Sequence, residues 1–437
     1  MRILLISDIL LTGDFAIKLR QEGNEVRVFI ADERNKNNLD NLLDKTDSWE
    51  KELEWVGKDG LIIFEDAGLG KKQDELRANG YTVLGGSELG ERTETDREFG
   101  QQVFALRGLP ILPVSDFTSQ HDAIAYLKEH PSAWVLKYTN GHLMKHLSFI
   151  GSDPDGGDVI AYLENNIRHD IGANETLSLQ ERAFGIEFGI ARYFNGTDWV
   201  GPIEYNLEHT HLFPGEIGPN VDEMGTLAWY DDNEDERLYR EILAPMKKFL
   251  REAKFHGDYS INCIVNESGA HPIEATARLG APIIHLQEQL SLSPWTEFML
   301  AVARGEQYNL KWKKGFGVVV SVVTTPFPYP YSAEGKTMLG LPVHIQQDCS
   351  VAELRRIHLE EVASRDGTNK TLYISGTSGT VLYVSGYGDT VSAARQQAYD
   401  TIAKISVPKM FYRNDIGATF EKIQLPQLKA WGFLSHL

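Results

Sequence analysis

Cysteine is nearly absent from this chain, with Cys263 and Cys349 the only two in 437 residues. So few thiols exclude a disulfide framework and any cysteine-based zinc spacing, and they suit a reducing cytoplasm. Long apolar runs are missing too. The longest, Gly315 to Val323, is too short to cross a bilayer and predicts a buried strand. Positive charge is in deficit, with a formal net charge of −19. That argues against a general nucleic-acid binder, and any anionic ligand then needs a local basic cluster. There is no low-complexity tract and no internal repeat. Met1 leads straight into Arg2-Ile-Leu-Leu-Ile-Ser7 without a basic leader or a small-residue cleavage site. A cytoplasmic protein with small-molecule substrates and no membrane partner is expected.

The length predicts two or three domains. In the first ninety-odd residues, strands at Ile3–Ser7, Glu25–Ile30, Gly60–Glu65 and Thr82–Leu84 alternate with helices near Asp14–Glu22, Thr46–Val56 and Lys71–Asn79. This is the pattern of a doubly wound parallel sheet, whose ligands bind beyond the carboxyl ends of the strands. Those ends are Asp8–Gly13, Ala31–Asn35 and Asp66–Gly70. No G-x-G-x-x-G follows the first strand, so a dinucleotide fold is not indicated. Gly68-Leu-Gly-Lys-Lys72 resembles half of a phosphate loop but lacks the upstream glycine and the Ser/Thr, and reads as a helix start.

A helix from Asp96 to Arg107 precedes a smaller α/β unit. In it, helix Ser119–Glu129, strands Trp134–Tyr138 and Leu147–Ile150 and helix Gly157–Asn166 place Lys145 eight residues beyond Lys137. Two lysines so placed suit a polyphosphate, or are ordinary surface lysines. Three β-rich segments, Leu177–Ala183, Ile186–Phe194 and Trp199–Tyr205, lead into a polar connection of more than twenty residues. It contains Glu208-His-Thr-His211, in which His209 and His211 lack an obvious third zinc ligand and read as solvated loop residues. A helix from Asp235 to Lys254, bent at Pro245, follows.

Phe255 to Pro282 reads as a hairpin turning near Ser268. Alternation puts Asp258, Ser260 and Asn262 on one face of the first strand, and Tyr259, Ile261, Cys263 and Val265 on the other. On the second strand Glu274, Thr276 and Arg278 share a face. In the expected register Asn262 stands opposite Glu274 and Asp258 opposite Arg278. The result is either an ordinary amphipathic hairpin or a polar floor for a ligand.

Together these segments resemble the phosphoribosylamine–glycine ligase (glycinamide ribonucleotide synthetase) family of ATP-grasp carboxylate–amine ligases. The resemblance is carried by Gly379-Thr-Val-Leu-Tyr-Val-Ser-Gly-Tyr-Gly388, Arg413-Asn-Asp-Ile-Gly417, Gly218-Pro-Asn-Val-Asp-Glu-Met-Gly225 and Glu274-Ala-Thr-Ala-Arg-Leu-Gly-Ala-Pro282. It implies a pre-ATP-grasp α/β domain over residues 1–95 and a two-lobed ATP-grasp domain over 96–314, with its small lobe at about 113–183. A strand-rich mixed α/β domain would cover 315–437. It further implies ATP between the two lobes, with Mg²⁺ or Mn²⁺. Arg97, Lys137 and Lys145 would face the phosphates, Glu181, Arg182 and Ala183 the adenine, and Glu187 the ribose. Glu274 would hold the metal, with Thr276 where the family has asparagine and Asn262 compensating. Arg278 and Lys145 would act on the reacting groups.

The departures lie where the family cradles the substrate phosphate. Glycine-rich segments are replaced by Asp8-Ile-Leu-Leu-Thr-Gly-Asp-Phe-Ala16, Ala31-Asp-Glu-Arg-Asn-Lys36 and Phe64-Glu-Asp-Ala-Gly-Leu69. Backbone amides need glycine for close approach to phosphate, and these acids repel it. The loop over ATP, Thr139-Asn-Gly-His-Leu-Met-Lys-His146, has lost most of its glycines. Ligase chemistry with a changed amine substrate is expected. The family's own reaction and a non-catalytic nucleotide-binding descendant are the alternatives.

Overall fold

The computed structural model describes residues 1–139, 148–165, 176–329 and 333–437. The fold is mixed α/β, with one parallel sheet and several antiparallel ones. The chain groups into two units, one of Met1–Leu109, Glu187–Cys263 and Glu274–Leu437, the other of Pro110–Ile186 with Ile264–Ile273.

The first unit begins with a five-stranded parallel sheet. Its spatial order is Asp44–Thr46, Glu25–Ile30, Arg2–Ser7, Leu61–Phe64, Val83–Leu84. Ile3, Leu4, Leu5 and Leu61 to Ile63 are fully buried, as an apolar run in a strand covered on both faces requires. The order reverses beside Arg2–Ser7, so the switch point lies between the ends of Arg2–Ser7 and Leu61–Phe64. The helix expected over Thr46–Val56 is instead an edge strand, Asp44–Thr46, then a 3₁₀ turn Trp49–Glu52 and a short helix Leu53–Val56. Parallel pairing of Asp44–Thr46 with Arg27–Phe29, and burial of Trp49, override the helical pattern.

An eight-stranded sheet forms the rest of this unit's frame. Its order is Gly269–Thr276, His256–Asn266, Ile186–Asn195, Trp199–Glu208, Gly225–Asp231, Phe316–Val323, Thr380–Gly388, Ile357–Leu359. Phe316–Val323 pairs with Gly225–Asp231 and Thr380–Gly388, so residues on both sides of Lys314 share one sheet. Helices Glu88–Thr95 and Ile283–Leu290, which the sequence pattern did not suggest, also belong to this unit. The expected helix Asp235–Lys254 is broken up: a π turn at Tyr239–Leu243, a 3₁₀ turn at Ala244–Met246 around Pro245, and a helix only over Lys247–Glu252. Proline has no amide hydrogen to continue the ladder.

The second unit is a four-stranded antiparallel sheet ordered Val114–Phe117, Thr176–Glu181, Trp134–Thr139, Phe149–Ile150. Helices Gln120–Glu129 and Gly157–Asn165 cover it through Leu127, Val159 and Leu163, which pack on Leu136, Leu177 and Leu179.

The long polar connection is ordered as a small hairpin, His211–Phe213 with Ile217–Asn220. Its anchor is Arg413, whose side chain is fully buried. The guanidinium donates to Asp415 (Nε–Oδ1 2.8 Å), to Glu216 Oε1 (2.6 Å) and to the His211 carbonyl (2.9 Å). Burial alone would raise the Glu216 carboxyl, but hydrogen bonds from His209 and Arg413 overcome it and bring it down to about 2. A depressed carboxylate stabilises the fold above its ordinary value near 4.5, and this is lost as pH falls toward about 2. Glu216→Gln should therefore flatten the pH dependence of thermal stability in that window. Arg413→Ala, which strands two acids, should cost about 3 kcal/mol in urea unfolding at pH 7.

Candidate active site

Polar residues recur at every second position on neighbouring strands of the eight-stranded sheet and so share its face. They are Glu187 on the strand Ile186–Asn195, Glu204, Asn206 and Glu208 on Trp199–Glu208, and Asp258, Ser260 and Asn262 on His256–Asn266. Tyr205, Tyr259, Ile261 and Cys263 lie in the core behind them. Gly189 stands opposite Asn206, and a Cβ on it would lie 2.1 Å from the Asn206 amide oxygen, so this glycine makes room for that side chain.

Glu208 ties the face together. Each of its oxygens lies 3.3 Å from Asn262 Nδ2, which donates to it. Burial, then the negative charges of Glu187 and Glu274, push its carboxyl up to about 7 against the opposing effects of Asn262 and Arg278. Asn262 Oδ1 is buried with no hydrogen-bond partner, as is Glu223 Oε1. Burial and the nearby Glu208 and Glu204 also raise the Glu223 carboxyl. Glu274 is exposed on the strand Gly269–Thr276, while Thr276, two residues on, is half-buried. Carboxylate and amide oxygens with unmet hydrogen-bonding capacity among like charges are what Mg²⁺ or Mn²⁺ takes as ligands, so these residues fit such an ion.

Two arginines offset this negative charge. Arg278 Nε donates to Glu94 Oε1 at 2.9 Å, and the other Glu94 oxygen accepts the Ala277 amide at 2.7 Å, fixing the arginine to the chain that carries it. Asp258, placed opposite Arg278 in the expected register, is bonded by Gln287 of the helix Ile283–Leu290. Gln287 Nε2 donates to Asp258 at 2.8 Å and to Glu204 at 2.7 Å. Burial raises both of these acids, and their mutual repulsion adds to the effect on Glu204. Arg97, at the start of the helix Arg97–Leu106, is half-buried; burial disfavours its charge and Glu274 supports it.

Arg278 also interacts with Asp66 and Glu65, at the carboxyl end of the parallel strand Leu61–Phe64. There Asp66 Oδ2 accepts the Asp8 amide at 2.6 Å, Glu65 accepts the Thr12 amide, and Ser7 Oγ accepts the Leu10 amide at 2.6 Å. Glu91 Oε2 accepts both the Gly68 and Gly70 amides at 2.7 Å. Amides that elsewhere would bind an anionic ligand are thus bonded to the protein's own side chains. The Gly68–Lys72 stretch does start a helix, Gly70–Ala78.

In the second unit, Lys137 lies on the strand Trp134–Thr139 and donates to Gln180 Oε1 at 3.0 Å. Lys145 lies outside the described residues. Glu181 accepts from Ser132 Oγ at 2.9 Å, the Arg182 amide donates to the Ala133 carbonyl at 2.8 Å, and Ala183 is half-buried. His209 is not the solvated loop residue expected. It is buried, Nδ1 lies 2.6 Å from Glu216 Oε1, and Nε2 accepts the Gly417 amide at 2.9 Å. Glu208 and Glu223 were not among the predicted site residues. The period-two run Glu204-Tyr-Asn-Leu-Glu208 was the available signal for the first, had the strand been carried past Tyr205.

Residues 319–419 match the family described as phosphoribosylglycinamide synthetase, C domain. The chain is 24% identical over 352 residues to the phosphoribosylamine–glycine ligase of Halalkalibacterium halodurans, covering 79% of this chain and 78% of that one. A crystal structure of phosphoribosylamine–glycine ligase from Thermotoga maritima superposes with a TM-score of 0.70 at 18% identity, covering 95% of this chain and all of that one. A biotin carboxylase from Campylobacter jejuni in complex with β,γ-ATP gives a TM-score of 0.65 at 12% identity, covering 100% of this chain and 98% of that one. If the floor holds a divalent ion, Asn262→Ala should weaken Mn²⁺ binding by titration calorimetry about tenfold, and Thr276→Val should do less.

Proposed function

We propose that this chain, a divergent relative of the phosphoribosylamine–glycine ligases with the ATP-grasp fold, is an ADP-forming carboxylate–amine ligase whose amine substrate carries no phosphate. The relatives form C–N bonds. The observation that carries the reading is the convergence of Glu187, Glu208, Asn262, Glu274 and Arg278. In this reading a substrate carboxylate oxygen attacks the γ-phosphorus of ATP and ADP leaves with the bridging oxygen. The amine nitrogen then attacks the acyl carbon, phosphate leaves with the C–O electron pair, and the nitrogen gives up a proton. Mg²⁺, when bound, neutralises charge on the nucleotide phosphates.

The chain's own residues position and stabilise. Glu274 and Asn262 would hold the metal, with Glu208 beside them, Glu223 near Glu208 and Thr276 as a neutral oxygen. Arg278, kept in place by Glu94, balances the reacting carboxylate and the transferred phosphoryl group. Arg97, Lys137 and Lys145 serve the phosphates, Glu181, Arg182 and Ala183 the adenine, and Glu187 the ribose, as in the resemblance.

The changed amine is supported by the occupied amides. Those of Asp8 and Thr12 are held by Asp66 and Glu65, and those of Gly68 and Gly70 by Glu91. Carboxylates in these places favour a cationic amine over a phosphate ester. The opposing reading, phosphoribosylamine itself, is supported by similarity over about four-fifths of the chain.

ADP release with ATP, Mg²⁺ and glycine decides between them. Turnover with unphosphorylated amines only is expected. Efficient glycinamide ribonucleotide formation selects the second reading, and no release across a broad carboxylate and amine panel selects a binding protein. Glu274→Ala should lower Mg²⁺-dependent turnover at least about 100-fold with an unchanged circular dichroism spectrum.

A further inference from the structure

Three elements of the first unit bring four metal-ligating side chains to one point. Asp14 is in the first turn of the helix Gly13–Gln21, His285 and Glu288 are on the helix Ile283–Leu290, and His358 is on the strand Ile357–Leu359. His285 and Glu288, three residues apart, share a helix face. One ligand atom from each of the four lies within 4.8 Å of all the others. The two imidazoles stack with centroids 4.4 Å apart. His358 Nδ1 lies 2.9 Å from Asp14 Oδ2, and its Nε2 lies 2.9 Å from Ser385 Oγ.

The hydrogen bonding here is incomplete. His285 is fully buried, and neither ring nitrogen has a hydrogen-bond partner. Glu288 Oε2 is buried and equally unpartnered, since Lys18 approaches only the other oxygen, at 3.7 Å. Leaving an imidazole and a carboxylate oxygen desolvated and unpaired is costly. An apolar ring at 285 would stack on His358 and Tyr383 without that cost. A cation between the four groups satisfies both orphans at once.

We propose that Asp14, His285, Glu288 and His358 bind a single divalent transition-metal ion of the zinc type. Two imidazole nitrogens and two carboxylate oxygens match the ligand preference of such an ion and the four-coordinate geometry it adopts. With a metal on Nδ1 in place of its contact with Asp14, the proton on His358 Nε2 would be donated to Ser385 Oγ, 2.9 Å away. The site uses none of the residues assigned to ATP or to the Mg²⁺ floor. It joins the first helix of the parallel sheet to a strand 344 residues away in sequence.

The test is metal binding to the full chain, stripped with chelator and titrated with Co²⁺ in millimolar Mg²⁺. Mg²⁺ prefers octahedral oxygen ligands and does not compete for a mixed nitrogen–oxygen site. One Co²⁺ per chain should bind with the visible absorption of a tetrahedral site, displaced by Zn²⁺. His285→Leu and Glu288→Gln should each weaken it at least about tenfold, and Glu274→Ala should leave it unchanged. No saturable absorption, a signal undiminished from the unaltered protein in both site variants, or loss in Glu274→Ala instead would overturn the proposal. If His285→Leu does not fold, Glu288→Gln decides alone: unaltered Co²⁺ affinity in that variant rejects the site.

Discussion

Burying several carboxylates on one sheet face sets a condition that the rest of the first unit has to meet. At about 4 Å and an effective dielectric near 20, two unit charges repel by about 4 kcal/mol, a large share of any domain's net stability. Glu204 and Asp258 are both buried, and Glu208 feels both Glu187 and Glu274. Glu204, Asp258 and Glu208 each have a specific relief. Gln287 bridges Glu204 and Asp258, Asn206 donates to Glu204, Asn262 donates to Glu208, and Arg278 supplies the counter-charge. Burial first, and then the part of this repulsion left over, raise the carboxyls of Glu204, Glu208 and Glu223. A divalent cation bound there would remove that remainder, as the proposed chemistry requires.

Arg278 has a second set of neighbours. Besides Glu94, it faces Asp66 and Glu65 at the switch point of the parallel sheet. One guanidinium thus serves two acidic groupings, a ligand end of the parallel sheet and the floor of the antiparallel one. Arginine suits this because its planar fork stays charged and bonds in several directions at once. The Ala277 amide, held by the same Glu94, fixes the backbone beside it.

Much of this was legible in the sequence, for physical reasons that differ by element. The parallel sheet was readable because its strands are short apolar runs separated by helical periodicity, and Arg2–Ser7, Glu25–Ile30 and Leu61–Phe64 fall where expected. The faces of the hairpin were readable because alternation is strict: Tyr259, Ile261, Cys263 and Val265 are fully buried. Partners were harder. The bond from Gln287 to Asp258 was not foreseen, because the helix Ile283–Leu290 follows Pro282 without an N-cap signal. Glu208 was hidden by the histidines after it, which suggested a loop where the strand in fact continues. Asp14, His285, Glu288 and His358 come from three distant segments, and no spacing rule joins them.

The carboxylates that hold the Asp8, Thr12, Gly68 and Gly70 amides act as tethered ligands. Each is present at an effective concentration set by its own chain rather than by the solution, in the millimolar range or above for a short connection. A free phosphate monoester would have to compete with that standing occupancy and tolerate the displaced charge. On the proposed reading, selectivity against such metabolites would be intrinsic to the resting protein, achieved by competition before any substrate arrives.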